Sequence, residues 1–129
     1  MTRKLLLPLL LLTLLLTACA AKTVAPRSGT YRMSAPPEAV LVPSLTLDAK
    51  NKTYLFSYDM LSSYLPVGSY EQDGNVIVCL TEDGRDPYLF RVVNETTLAF
   101  IAEGSASVTL TDPRIGEAVM DGSVFLLSN

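Results

Sequence analysis

From Gly29 onward the chain is a succession of short runs rich in β-branched and aromatic residues, each closed by a cluster of turn formers. Runs this short cannot build helices, and their alternation of apolar and polar residues suits strands with one buried face. The runs place strands at 29–33 (GTYRM), 44–48 (SLTLD), 53–58 (TYLFSY), 68–72 (GSYEQ), 76–81 (VIVCLT), 88–93 (YLFRVV), 97–102 (TLAFIA), 107–110 (SVTL) and 123–127 (SVFLL). Between them, Asp73-Gly74 supplies residues that tolerate positive φ, Asp83-Gly84 opens the next connection, and Asn94-Glu95 closes the pair that follows. Sequential hairpins of this kind predict an all-β domain, a single antiparallel barrel or sandwich in which eight or nine short strands meander.

Alternation assigns the faces. Tyr54, Phe56 and Tyr58 point one way, as do Tyr88, Phe90 and Val92, then Leu98 and Phe100; Ser57, Arg91 and Ala99 take the other side. Leu45, Leu47, Val76, Val78, Leu80, Val108 and Leu110 extend the apolar set. Leu55, Leu89 and Ile101 break the pattern, which calls for a cover over part of the outer face. In DMLSSYLPVG, Asp59 can cap a short helical turn that Pro66 ends, so Met60, Leu61, Tyr64 and Leu65 are expected to plug one end of the domain.

The N-terminus has a different character. Arg3 and Lys4 precede the apolar block Leu5–Leu16, which Pro8 and Thr13 interrupt. A bilayer-spanning helix needs about 20 apolar residues, whereas this length suits a secretion signal. Leu16, Thr17, Ala18 and Cys19 then resemble the lipobox of bacterial lipoproteins, an aliphatic residue and two small residues before a cysteine. In that chemistry a diacylglyceryl group joins the thiol, the small residues admit the scissile bond to the peptidase, and Cys19 becomes the mature N-terminus. Each buried CH₂ of the acyl chains contributes about 0.8 kcal/mol of membrane affinity. The expected organisation is a signal peptide over 1–18, a flexible tether over 19–28 (CAAKTVAPRS) and the β domain over 29–129, anchored at the extracytoplasmic face of the cell membrane.

Removing residues 1–18 leaves 111 of the 129, enough for one core. Arg3 and Lys4 leave with the leader, so 8 of the 10 basic residues remain against 13 acids, a net charge of −5. Such a chain does not bind nucleic acid, which requires clustered Lys and Arg. Cys79 is alone once Cys19 is a thioether, so no intrachain disulfide forms, and within NVIVCLT it reads as a small apolar strand residue. The chain has no histidine. That removes the common general base, the Ser-His-Asp arrangement and the commonest zinc ligand, and no catalytic residue, metal ligand or cofactor is assigned.

The segments FSYDMLSSYLPVGSYEQDGNVIVCLTEDG, YLFRVVNETTLAFI and DPRIGEAVMDGSVFLL, with SSYLPVGSYE and DPRIG as their most telling words, resemble a small β-rich domain of Gram-positive bacteria. That domain occurs as short lipoproteins and at the extracytoplasmic end of membrane metallopeptidases resembling the β-lactam sensor type. The likeness spans about residues 44–127 and implies an accessory domain with a lipocalin-like look, a meander closing round an apolar interior. The zinc-binding HExxH motif of those metallopeptidases is absent here. The Ser-x-x-Lys of their penicillin-binding module is absent too, since Ser62 and Ser63 are followed by Tyr64, Leu65 and Pro66.

Among candidate sites, Glu82, Asp83 and Asp86 in EDGRD lack the D-x-D-x-D-G calcium spacing and read as a polar turn. Asp112-Pro113-Arg114 with Gly116 and Glu117 reads as a turn, started by Asp-Pro and bent at Gly116, ahead of the alternative of a loop whose Arg114 pairs a carboxylate ligand. The sequons at Asn51 and Asn94 are chance matches beside a bacterial lipobox. The aromatic row Tyr54, Phe56, Tyr58, Tyr88, Phe90 and Phe100 either fills the interior or lines a cavity for one small apolar molecule. The expected function is a non-enzymatic binding or sensory accessory module whose partner is an envelope protein or small ligand; a lipocalin-like carrier is the alternative.

Overall fold

A computed structural model describes residues 22–59, 61 and 63–129. The signal peptide, the Leu16–Cys19 motif and Met60 of the expected plug lie outside the described residues. Eight antiparallel strands form a closed barrel in sequence order: β1 (Gly29–Met33), β2 (Ser44–Asp48), β3 (Thr53–Ser57), β4 (Val67–Asp73), β5 (Val76–Thr81), β6 (Pro87–Asn94), β7 (Thr97–Ile101) and β8 (Val124–Leu127). The all-β meander read from the sequence is therefore a barrel and not a sandwich. Closure comes from β8 lying against β1, with Tyr31 opposite Leu127 and Met33 opposite Phe125. Pairing with β1 and β7 leaves neither side of β8 as an open sheet edge.

The up-and-down order gives the barrel two unlike ends. Residues 49–52, 74–75 and 95–96 make short turns at one end, where β1 begins and β8 finishes. Residues 34–43, 58–66, 82–86 and 102–123 make longer connections at the other, the loop end. Gly74 opens the β4–β5 tip at φ 60°, as the first central residue of a type II′ turn requires. β4 reaches one residue further than the sequence suggested, to Asp73, while β5 starts at Val76 as expected, so the tip is Gly74-Asn75. The β6–β7 tip is likewise Glu95-Thr96, where the Asn94 side chain accepts the Thr96 N–H at 2.9 Å.

An eight-stranded barrel is just wide enough for side chains to fill. Here Phe56 lies edge-on to Tyr88, Phe90 and Phe125 at centroid distances of 5.1, 5.5 and 6.1 Å, and Phe90 meets Phe100 and Phe125 at 5.5 and 5.3 Å. Such pairs add about 0.5–1.5 kcal/mol each beyond the area they bury. Leu45, Leu47, Tyr54, Val92 and Leu98 are interior as the alternation required. The parity of β5 is the reverse of that expected. Ile77 and Cys79 are buried, while Val76, Val78 and Leu80 face outward, because the register sets Cys79 between Tyr70 and Tyr88. The outer face mixes the charged Arg32, Glu71 and Arg91 with exposed Leu80, Val93, Val124 and Leu126.

Two other expectations are corrected. Residues 107–110 are not a strand of the barrel: Thr109 makes an isolated antiparallel bridge to Ala118, and Val108, Leu110 and Val119 drop from the 102–123 connection into the core. This connection closes the mouth. The 58–66 segment does not, since Leu61, Tyr64 and Leu65 are exposed and no helix forms among its described residues. Asp59 still accepts the Leu61 N–H at 3.1 Å, and it also accepts the Thr111 hydroxyl at 3.0 Å, which ties the segment to the 102–123 connection.

The chain enters at the short-turn end. Pro26 is buried, Gln72 Nε2 donates to the Val24 carbonyl at 2.6 Å, and Arg27 pairs with Glu95 at 2.9 Å. Beneath them the Tyr31 hydroxyl lies 2.7 Å from the Arg27 carbonyl and 2.9 Å from that of Glu95. Residues 24–28, read as part of the tether, are thus held on the barrel.

At Gly68 a Cβ would overlap the Leu80 carbonyl oxygen, so β4 and β5 meet there only because no side chain intervenes. Gly68→Ala should lower unfolding stability by about 3 kcal/mol in denaturant titrations. Leaving φ otherwise equal, Gly74→Ala meets no atom and costs only the strain of its positive φ, about 1 kcal/mol.

Candidate functional site

The aromatic residues proposed to line a cavity come from opposite walls of the barrel, β3 and its end on one side and β6 and β7 on the other, and are packed into the core. Tyr54, Phe56, Tyr88, Phe90 and Phe100 are buried, and half-buried Tyr58 caps the row, 5.1 Å from the Phe56 ring with its hydroxyl 3.3 Å from that of Tyr88. The sequence reading missed Tyr31, Tyr70, Ile77 and Phe125, which complete the interior. Alternation along GTYRM, GSYEQ and SVFLL carried that signal.

The interior is chemically quiet. Cys79 is fully buried in β5, and burial pushes its thiol far above the ordinary range, so it stays protonated. Burial likewise raises the Tyr54, Tyr70 and Tyr88 phenols. Among the described residues the hydroxyls of Tyr54 and Tyr70 have no hydrogen-bond partner. Tyr54 stands opposite Gly68, at the start of β4 and so at the loop end.

The polar chemistry is concentrated at that end. Asp112, buried in the mouth-crossing connection, receives Arg114 through Nε at 2.7 Å and Nη2 at 2.9 Å, and its Oδ2 accepts the Val40 N–H at 3.0 Å and the Leu41 N–H at 3.4 Å. The guanidinium first, then the backbone N–H groups, hold this carboxyl well below the usual carboxylate range. Arg114 is accordingly consumed within the protein, and Asp112 acts as a clamp between the first and last connections.

In the 82–86 connection, Asp83 accepts from the Thr81 hydroxyl at 2.6 Å and the Arg85 N–H at 3.0 Å, and the hydroxyl bond leads in lowering its pKa. Asp86 accepts the Tyr64 hydroxyl at 2.6 Å; that bond is the main cause of the Tyr64 phenol being pushed up to about 12. These carboxylates build the turn, as the sequence implied. Among the described residues no group of histidine, cysteine or acidic side chains is placed to hold a metal ion. Between this turn and the 58–66 segment runs a groove of about 200 Å³, floored by Leu65, Pro66 and Val67 and walled by Thr81, Glu82 and Asp83.

Comparison with protein-family models, with curated proteins and with solved structures finds no match.

Because the folded Asp112 carboxyl is depressed, its contribution is present above the ordinary Asp pKa of about 4 and is lost as pH falls toward the folded value. Asp112→Asn should therefore lower the Tm at neutral pH, and the gap between variant and parent should narrow in melts at pH below about 4. Tyr70→Phe removes a hydroxyl without a partner and should leave Tm unchanged or raise it, whereas loss of a bonded hydroxyl in Tyr31→Phe should cost about 1 kcal/mol.

Proposed function

We propose that this protein is a lipoprotein of the cell envelope, anchored through Cys19 at the extracytoplasmic face of the membrane, whose barrel is a non-enzymatic binding or sensory accessory module. The observation that carries this reading is the run Leu16-Thr17-Ala18-Cys19 directly after a short apolar leader with a basic start. The resemblance to extracytoplasmic accessory domains agrees with it. The fold supports it too. The chain is pinned to the short-turn end from Val24 onward, so residues 19–23 would reach at most about 18 Å from lipid to barrel. A barrel seated this closely presents its loop end away from the bilayer.

The binding role is favoured over catalysis because the buried thiol and phenols are held neutral and the clustered carboxylates are engaged in turns. Close packing of Phe56, Phe90, Phe100 and Phe125 weighs against a carrier with its ligand inside the barrel, and directs attention to the outside.

Intact mass of the protein from membranes of a lipoprotein-processing host should show an N-terminal Cys19 carrying a diacylglyceryl thioether, and Cys19→Ser should abolish membrane retention. Native protein should not react with a thiol reagent, and denatured protein should show only the Cys79 thiol. A second reactive thiol, or an unmodified chain in the medium, would end the anchoring proposal.

A further inference from the structure

The charged residues are sorted along the barrel axis. On the loop end the 34–43 connection brings Glu38 and the 58–66 connection Asp59; Glu82, Asp83 and Asp86 follow in the third. The 102–123 connection adds Glu103, Asp112, Glu117 and Asp121, so nine of the thirteen acids lie on these connections. Arg85 and Arg114 are the basic residues there, and Arg114 is neutralised by Asp112. Lys22, Arg27, Lys50 and Lys52 all sit at the short-turn end.

The same acidic end exposes large apolar side chains. Leu61 is 82 % and Met120 72 % exposed, with Val40, Tyr64 and Leu65 also open to solvent. Apolar residues set in a net acidic field are suited to a surface of opposite charge that also brings apolar groups. The groove beside Leu65 has this double character at the scale of one side chain. Its floor is aliphatic, and Glu82 on its wall has no ion pair among the described residues.

We infer that the loop end is a docking surface for a cationic polypeptide segment, with a lysine or arginine stem laid over Leu65 and Val67 and its charge against Glu82 and Asp83, and with neighbouring apolar residues of the segment on Leu61 and Met120. A bare divalent cation is a poorer occupant, because the acids are not grouped as ligands and an ion leaves the apolar floor uncovered. The inference deepens the accessory-module reading by naming a class of partner, but it rests on the distribution of charge and not on the anchor.

The test uses the mature protein in detergent and, as probe, a short peptide alternating lysine and leucine, with the glutamate-for-lysine peptide as control. Binding of the basic peptide should weaken as salt is raised, should perturb amide resonances of residues 61–67 and 81–86, and should fall about tenfold in Leu65→Ser/Glu82→Gln. Glu71→Gln on the outer face of β4 should bind as the parent does. Both substituted loop residues are exposed, so the double variant keeps its fold, which thermal melting checks. Equal binding of the acidic peptide, perturbations confined to the strands or the short-turn end, unchanged affinity in the double variant, or no salt dependence would each overturn the inference. The mass of Cys19 in the same sample separates the two ideas. An unacylated chain that still binds loses only the anchor, and an acylated chain that ignores the peptide loses only the docking surface.

Discussion

The barrel depends on Phe125. It is the fully buried residue of a four-residue strand that must join β1 on one side and β7 on the other, with Leu127 beside it partly buried against the core, and its ring meets those of Phe56 and Phe90 in the centre of the interior. Without that burial β8 has little to hold it, and β1 and β7 would become open edges. The 22-residue excursion between β7 and β8 adds little to closing entropy, which grows only logarithmically with loop length, and the excursion contributes Val108, Leu110 and Val119 to the same core. Core and closure are one event.

Strand positions were legible because each strand has its own turn chemistry and each was short enough for alternation to be read. Where alternation was ambiguous, pairing decided. VIVCLT is apolar on both parities, so nothing local distinguishes Val76-Val78-Leu80 from Ile77-Cys79. The choice is made by the tip Gly74-Asn75 and by the register that sets Tyr70 beside Cys79. Slipping by one residue would have turned every side chain over. SVTL fails as a strand for a related reason. Its alternation is that of a strand, but the sheet is already closed by β8, and the segment satisfies its backbone against Ala118 and Glu117 while still delivering its apolar side chains to the mouth.

The mouth itself was misread because DMLSSYLPVG and TDPRIGEAVMDG compete for the same place, and composition favours the first. Asp112 settles the competition. A buried carboxylate is tolerable only when its hydrogen-bonding capacity is met, and Arg114 with the N–H groups of Val40 and Leu41 meets it. That clamp fastens the last connection across the barrel to the first, leaving Leu61, Tyr64 and Leu65 outside. The candidate aromatic site was visible as a set of residues, but whether such rings leave a space depends on Tyr31, Tyr70 and Phe125 from distant strands, which no local window joins.

The consequence reaches the exposed end. A loop surface ordinarily loses freedom when a partner binds, and that loss subtracts from affinity. Here all four long connections are tied together, the first to the last through Asp112, the second to the last through Asp59 and Thr111, and the second to the third through the Tyr64 hydroxyl and Asp86, with Thr81 and Asp83 bracing the third internally. The acidic residues and the exposed apolar side chains are therefore carried on a framework that folding has already ordered. Hydrogen bonds from the Thr81 hydroxyl and the Arg85 N–H, followed by the nearby Arg85 charge, keep Asp83 ionised within its turn. The acids of this end outnumber Arg85 and Arg114, so an ordered surface with a net negative charge remains once the bonds that hold the connections are made, and such a surface suits an encounter with an opposite charge.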